Sequence, residues 1–172
     1  MTKFIAFLRG INVGNIRIKM TDLQSAFEKM GCKSVKTYLQ TGNVVFESDK
    51  PLTNLKILLE KGLSETFHYE AYLLLYEFDT LSGVIAKYPM PRDESHHAYV
   101  VFIDKEAVFE ELKTVAKSLG EESGFIKFGD NLLYWKVPIG QSLDTPFSKI
   151  LAKAKYKTCT TVRNLNTLEK MV

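Results

Sequence analysis

Hydrophobic residues follow two different spacings along this chain, and these spacings predict the order of its elements. The unbroken apolar run over residues 4–8 is typical of a strand that is buried on both faces. Apolar positions at i, i+3, i+4 and i+7 then predict a helix that ends at Gly31. Two short strands around Thr41-Gly42-Asn43, a second helix and a strand over residues 71–76 follow. The first part of the chain therefore has the order βαββαβ.

The same order recurs in the second part of the chain. A strand over residues 97–103 precedes a helix that ends at Gly120, and a hairpin follows around Gly129-Asp130. A helix that begins near Pro146 and a short strand over residues 158–161 complete the pattern. We therefore predict an α+β fold of two similar βαββαβ (ferredoxin-like) subdomains formed by internal duplication.

A proline-rich break separates the two parts. The segment Tyr88-Pro89-Met90-Pro91 follows a short predicted helix over residues 80–87, and a residue before proline is disfavoured in a helix. We expect a first subdomain over residues 1–78, a short helical connector over 79–95, and a second subdomain with a C-terminal helical turn over 96–172.

Two predicted helices have recognisable sequence patterns at their N-termini. Thr21-Asp22-Leu23-Gln24 has the spacing of a capping box, in which the Thr21 hydroxyl accepts a backbone N–H and Gln24 reaches back. Asp144-Thr145-Pro146 predicts a helix with proline at its first position, where the missing N–H does no harm.

Composition excludes several classes of protein. The chain of 172 residues is 45% hydrophobic and 25% charged, as a globular protein is, and has no apolar run near the roughly 20 residues that cross a bilayer. Its two cysteines, Cys32 and Cys159, lack metal-type spacing and form no disulfide framework. We expect a cytoplasmic protein without a membrane segment, a bound metal or a cofactor.

The net charge of +3 is unevenly distributed. Two windows, residues 1–21 and 145–168, contain basic residues and no acidic residue. If the two windows meet in space, they form a positive patch that attracts an anion. The alternative is ordinary solubilising charge on helix faces.

The polar loop after the first strand is the leading candidate for a ligand site. Gly10-Ile11-Asn12-Val13-Gly14 has neither the Gly-Lys-Ser/Thr of a Walker loop nor the spacing of a dinucleotide fingerprint. A glycine-bearing loop that enters a helix N-terminus can still bind an anion through backbone N–H groups. The alternative is a tight turn that needs positive φ at Gly10 or Gly14.

Polar residues elsewhere extend this candidate site. Each of these residues also has a structural explanation that involves no ligand. Turn formation would account for Gln40 and Asn43, a surface salt bridge would account for Arg163, and helix capping would account for Asn164. We interpret His96-His97 as a surface pair because no third ligand stands at metal spacing. The candidate ligand-binding residues are Arg9, Asn12, Asn15, Arg17, Lys19, Gln40, Asn43, Arg163 and Asn164.

Three separated motifs resemble a known family. Phe7-Leu8-Arg9-Gly10-Ile11-Asn12-Val13-Gly14 with Lys19-Met20, Tyr38-Leu39-Gln40-Thr41-Gly42-Asn43-Val44-Val45-Phe46, and Thr161-Val162-Arg163-Asn164 with Thr167-Leu168 resemble the bacterial domain-of-unknown-function 1697 family. The resemblance implies a fold of two similar βαββαβ subdomains in a bacterial cytoplasmic protein, and it implies no activity. Leu165 stands where the family is associated with Trp, which counts against an aromatic-stacking role there.

Three functional hypotheses remain open at this point. The first is a binding module for an anionic ligand, either a nucleotide-like small molecule or a nucleic-acid backbone, at the Arg9–Lys19 loop. The second is an enzyme that acts on a small polar or phosphorylated substrate in the same corner, although the chain has no HExxH, CxxC or GxSxG motif. The third is a structural or protein-interaction role. The sequence predicts neither catalytic residues nor an oligomeric state.

Overall fold

Two four-stranded antiparallel sheets, one in each half of the chain, form the framework of the computed structural model, which describes residues 1–12 and 15–172. The chain divides into unit 1, Met1–Leu81, and unit 2, Ser82–Val172. The predicted positive φ at Gly14 lies outside the described residues. Within the described ranges, no helix combines the length and the apolarity that crossing a bilayer requires.

Over residues 1–12 and 15–77, unit 1 has four strands and two helices in the order βαββαβ. The sheet order is β2-β3-β1-β4, so that β1 lies between β3 and β4, antiparallel to both. A short helix, α3 (Thr80–Ala86), contains the boundary with unit 2. The elements before it are β1 (Thr2–Arg9), α1 (Met20–Lys29), β2 (Lys33–Tyr38), β3 (Asn43–Ser48), α2 (Leu52–Phe67) and β4 (Tyr72–Glu77).

Unit 2 repeats this topology. Its sheet order is β6-β7-β5-β8, in which β5 occupies the central position that β1 has in unit 1. The predicted α+β fold of two similar βαββαβ subdomains is therefore confirmed. The elements are β5 (His96–Ile103), α4 (Glu106–Lys117), a 3-10 turn (Glu121–Ser123), β6 (Phe125–Phe128), β7 (Leu132–Pro138), α5 (Pro146–Leu151), α6 (Ala154–Lys157), β8 (Thr160–Asn164) and α7 (Leu165–Met171).

The central strand of unit 1 is buried along most of its length, as its unbroken apolar run predicts. Phe4 and Leu8 belong to a core that also contains Phe27 of α1, and Phe46 of β3 lies between the rings of Phe4 and Phe27. Ile5 and Phe7, which alternate with them, are also buried, at 0% exposure. Because burial of each such side chain stabilises the fold by about 1.5–3 kcal/mol, β1 is anchored before the polar loop begins.

The two predicted helix starts have different outcomes. The capping box is wrong: α1 begins at Met20, so Thr21 lies inside its first turn, and Gln24 donates instead to Glu28. Ile18 is buried and Met20 packs against the core, and the helix begins two residues earlier than the polar pattern indicates. The start at Pro146 is confirmed, because Thr145 is the N-cap and its hydroxyl accepts from the backbone N–H of Ser148 at 3.1 Å.

Candidate functional site

The loop over residues 10–19 is tied to the neighbouring hairpin by one asparagine. Asn12 has a left-handed backbone, with φ of 55°, and its side chain bonds in two directions. Its Nδ2 donates to the carbonyl of Gln40 at 2.6 Å, and its Oδ1 accepts from the backbone N–H of Ile18 at 2.9 Å. Asn12 therefore fixes both the hairpin turn and the approach to α1 relative to the end of β1.

Gly42 lets the hairpin turn approach the loop closely. Its carbonyl accepts from the N–H of Leu8 at 2.8 Å, and its φ is 82°. A Cβ at this position would lie 2.8 Å from Leu8 Cβ and 2.8 Å from Ile11 Cδ1. Because both the backbone angle and the packing exclude a side chain, only glycine fits here without strain. Gly10 also has positive φ, as the alternative interpretation of the loop as a tight turn requires.

Asn43 makes hydrogen bonds within the hairpin turn. It is fully buried, and its Nδ2 donates to the carbonyl of Tyr38 at 2.9 Å and to the Thr41 hydroxyl at 2.8 Å. Its Oδ1 is buried without a hydrogen-bond partner in the part of the chain that the structure describes. The amide of Asn43 therefore holds the turn together and does not line the surface.

An open depression of about 490 Å³ lies between the loop, the first turn of α1 and the hairpin turn. Its two basic side chains, Arg17 and Lys19, are exposed, and one guanidinium nitrogen of Arg17 donates to the carbonyl of Ile16 at 3.1 Å. Asp22 adds one acidic group. The lining residues are Asn12, Arg17, Ile18, Lys19, Met20, Thr21, Asp22 and Gln40.

The N-terminus of α1 opens into this depression. The first intrahelical bond runs from the N–H of Leu23 to the carbonyl of Lys19 at 3.0 Å, so the earlier amides have no partner within the helix. No side chain of the described residues caps this end. The starts of α2 and α4 are similar in this respect, so the distinguishing feature of α1 is the pair of basic side chains beside it.

The structure brings four of the nine candidate residues together at the depression: Asn12, Arg17, Lys19 and Gln40. Arg9 is half-buried at the end of β1, opposite Tyr72 of β4, and Asn15 is exposed in a turn. Neither residue lines the depression.

The two remaining candidates lie in β8 of unit 2. Arg163 is 8% exposed and pairs in register with Val100. Asn164 is the N-cap of α7 and accepts from the N–H of Asn166 at 2.8 Å, so the capping alternative accounts for it.

Sequence reasoning missed a polar cluster in unit 2. Asp93 accepts from His96 Nδ1 at 2.8 Å and from the ammonium of Lys136 at 2.9 Å. These bonds, first that of Lys136 and then those of His96 and Ser95, hold the pKa of the Asp93 carboxyl well below its usual range. The short spacing of Asp93, Ser95 and His96 was a readable signal, whereas Lys136 enters only through the pairing of β5 with β7.

Neither a reactive thiol at Cys32 nor a metal site is indicated by the described residues. Burial raises the pKa of the Cys32 thiol to about 11, although the charge of Lys50 opposes the shift. A thiol with this pKa is protonated at neutral pH and is a poor nucleophile. Within residues 1–12 and 15–172, no three His, Cys, Asp or Glu side chains gather as a metal site would require.

Fold and site together define a class: a duplicated ferredoxin-like α+β protein with an open, basic-lined depression beside its first helix. Residues 1–134 match the model of the family described as "Protein of unknown function (DUF1697)", and the chain belongs to that family. The motif around Arg163 and Asn164 lies beyond the matched residues. No curated protein matches the chain significantly.

A solved structure supports the same fold. The conserved bacterial protein SP0830 from Streptococcus pneumoniae is 23% identical in sequence, with a TM-score of 0.82 over 99% of this chain and 96% of that one. At this identity, the likeness establishes a shared architecture. The two proteins therefore share a fold, and function must be argued from the side chains.

Proposed function

We propose that this protein is a cytoplasmic binding module for an anionic ligand, a nucleotide-like small molecule or a nucleic-acid backbone, at the depression beside α1. The observation that carries this proposal is the position of Arg17 and Lys19 on a loop that Asn12 fixes by hydrogen bonds at both sides. A fixed loop loses less conformational entropy on binding than a free one, which favours affinity.

The lining chemistry suits a phosphate group. Arg17 presents a planar guanidinium, and the described contacts use one of its nitrogens. The parallel N–H groups of a guanidinium can donate to two oxygens of one phosphate group. Lys19 supplies a second cation, and the first backbone amides of α1 add neutral donors. Asp22 opposes an anion, so the lining carries one net positive charge.

The size and openness of the depression agree with a small ligand. Its volume of about 490 Å³ falls within the range of roughly 300–1,000 Å³ that is usual for small-molecule sites. Because the basic side chains are exposed, salt screens their attraction for the ligand. We expect reversible binding that weakens as ionic strength rises.

Binding of fluorescent nucleotides and short RNA and DNA oligonucleotides to the full chain tests the proposal. Reversal of both charges, Arg17→Glu with Lys19→Glu, should weaken binding at least tenfold at low salt. The double variant Lys33→Glu with Lys36→Glu alters two exposed lysines of β2 in the same unit and is the matched control, because it makes the same change of charge away from the depression. Asp22→Asn removes the opposing acid and should tighten binding about twofold to fivefold, in line with weak exposed charge interactions.

Two results would contradict the proposal. One is affinity for none of the anions; the other is equal weakening by the double reversal in the depression and by the double reversal at Lys33 and Lys36. The second result would mean that the ligand responds to net charge, and that the depression has no particular role.

A further inference from the structure

A second, smaller cavity lies in unit 2, at the start of β5. Its volume is about 60 Å³, and its lining includes Tyr88, Arg92, Asp93, His96, Lys136 and Asn166. We call it the Asp93 pocket. A buried water needs about 10–15 Å³ on the same measure, so the cavity holds four to six water-sized groups, which is about the size of one carboxylate or phosphate group.

The acceptors of the Asp93 pocket are already used. The Oδ1 of Asp93 accepts from the N–H of Ser95 at 2.9 Å, from the Ser95 hydroxyl at 2.9 Å and from His96 Nδ1 at 2.8 Å. Its Oδ2 accepts from Lys136 at 2.9 Å. The side-chain oxygen of Asn166 accepts from Arg92. A ligand that needs acceptors therefore finds few here.

The donors, in contrast, outnumber the contacts that use them. Lys136 donates to Asp93 and to the carbonyl of Pro91 at 2.6 Å, which accounts for two of its three hydrogens. Arg92 donates to Glu169 and Asn166, which accounts for two of its five. The described contacts of the Asn166 side chain involve its oxygen and leave its NH₂ group to a ligand.

Tyr88 adds a donor that the fold itself does not satisfy. Its hydroxyl is buried and has no hydrogen-bond partner in the described part of the chain, while its ring packs edge-on against Tyr134 at 5.7 Å. Burial raises the pKa of this phenol. The charge of Arg92 lowers the pKa and the charge of Asp93 raises it, so both charged groups lie near the hydroxyl. A buried hydroxyl without a partner is costly, so a ligand that accepts from it gains affinity.

We propose that the Asp93 pocket binds one small oxyanion, a carboxylate or a phosphate group, through its remaining hydrogen-bond donors. Each of the two cations already has a carboxylate partner, Glu169 for Arg92 and Asp93 for Lys136, so it is the surplus of hydrogen-bond donors that selects an acceptor. This site is independent of the depression in unit 1, because every residue that lines it belongs to unit 2.

Titration of the full chain with inorganic phosphate and, separately, with acetate, at constant pH and ionic strength, tests the proposal by NMR of the histidine rings. His96 and His97 line the pocket and should shift in a saturable manner, whereas His68, at the C-cap of α2 in unit 1, should not. Saturation with phosphate alone identifies a phosphate site, and saturation with acetate alone identifies a carboxylate site.

Two variants remove donors without removing the contacts that hold the pocket. Asn166→Asp keeps the oxygen that accepts from Arg92 but replaces the NH₂ group by a charged oxygen, and it should weaken binding at least tenfold. Tyr88→Phe keeps the ring packing and should weaken binding about threefold to tenfold, as the loss of one hydrogen bond does. Asn131→Asp, in the exposed turn between β6 and β7, makes the same charge change outside the pocket and should bind as wild type.

Three results would overturn the proposal. They are no saturable shift with either anion, equal shifts of His68 and His96, and wild-type affinity in both Asn166→Asp and Tyr88→Phe. If Asn166→Asp fails to fold, Tyr88→Phe alone decides the question, because it removes a buried hydroxyl that makes no hydrogen bond within residues 1–12 and 15–172.

Discussion

The two units share one topology but connect their first strand and first helix differently. In unit 1, residues 10–19 separate β1 from α1; in unit 2, only residues 104 and 105 separate β5 from α4. Short connections are usual in such folds, and a longer one needs its own contacts to become ordered. Among the described residues of the connection in unit 1, Asn12 donates to the carbonyl of Gln40 and Ile11 lies beside Gly42. The difference teaches that two units of one topology can differ at the end of the central strand, because the longer connection of unit 1 contributes residues that line the depression.

The polar features of the two units also lie at opposite ends of equivalent strands. The depression in unit 1 follows the last residue of β1, whereas the Asp93 pocket in unit 2 surrounds the first residues of β5. β1 is buried over residues 4–8 and β5 over residues 100–103, so the polar side chains gather beyond the buried part of each strand. A duplicated fold therefore offers two such ends in each unit, and these two units use different ones.

The largest expected effect comes from filling the close contact at Gly42. Gly42→Ala would place Cβ against Leu8 and Ile11 at a positive φ, so we expect a loss of about 2–4 kcal/mol in the free energy of unfolding. Gly10→Ala is the matched control, because Gly10 has φ of 72° but nothing within 4 Å of the added Cβ, and it should cost only about 1 kcal/mol. Urea unfolding of both variants measures the difference. Equal losses would show that backbone strain alone, and not packing of the turn on the loop, sets the requirement for glycine.

A smaller effect should follow from making unit 1 resemble unit 2 at the start of its third strand. Asn43 pairs with Phe7, and the equivalent partner of Phe102 in unit 2 is Leu132. Asn43→Leu removes two hydrogen bonds that hold the turn, so we expect a loss of about 1–3 kcal/mol. Urea unfolding measures this loss.

Ligand binding in unit 1 should also weaken in Asn43→Leu, since the turn carries Gln40 into the depression. Thr41→Val, which removes only one partner of the Asn43 amide, is a milder control. A fully stable Asn43→Leu variant would mean that an apolar residue closes this turn equally well in both units.

Sequence alone could predict the fold because its signals are local and repeated. The apolar run of β1, the helical spacing of α1 and the turn at Gly42 each act within about ten residues, and the second part of the chain repeats them. The candidate site was harder to predict from the sequence. Lys136 reaches Asp93 only because β7 pairs with β5, and Asn43 proved to be a buried turn residue although its sequence context resembles an exposed rim. Contacts between distant segments leave no periodicity in the sequence, so their polar partners could not be inferred.

The smallest expected effect concerns the acid stability of unit 2. The pKa of Asp93 is depressed in the folded state, chiefly by the bond from Lys136, so the carboxylate stabilises the fold above its unfolded pKa of about 4. This stabilisation should disappear progressively as pH falls through the lower folded pKa, and it should be modest because the group is exposed to solvent. Trp135, the one tryptophan of the chain, lies in the core of unit 2 and reports its unfolding by fluorescence.

Urea midpoints at pH 6 and pH 3 for wild type and Asp93→Asn measure the contribution of this carboxylate. The variant should start less stable at pH 6 and lose less on acidification, so that the two midpoints lie closer together at pH 3 than at pH 6. Glu65→Gln, on α2 of unit 1, is the matched control and should parallel wild type at both values. Parallel curves for wild type and Asp93→Asn would mean that the bonds around Asp93 add nothing to stability.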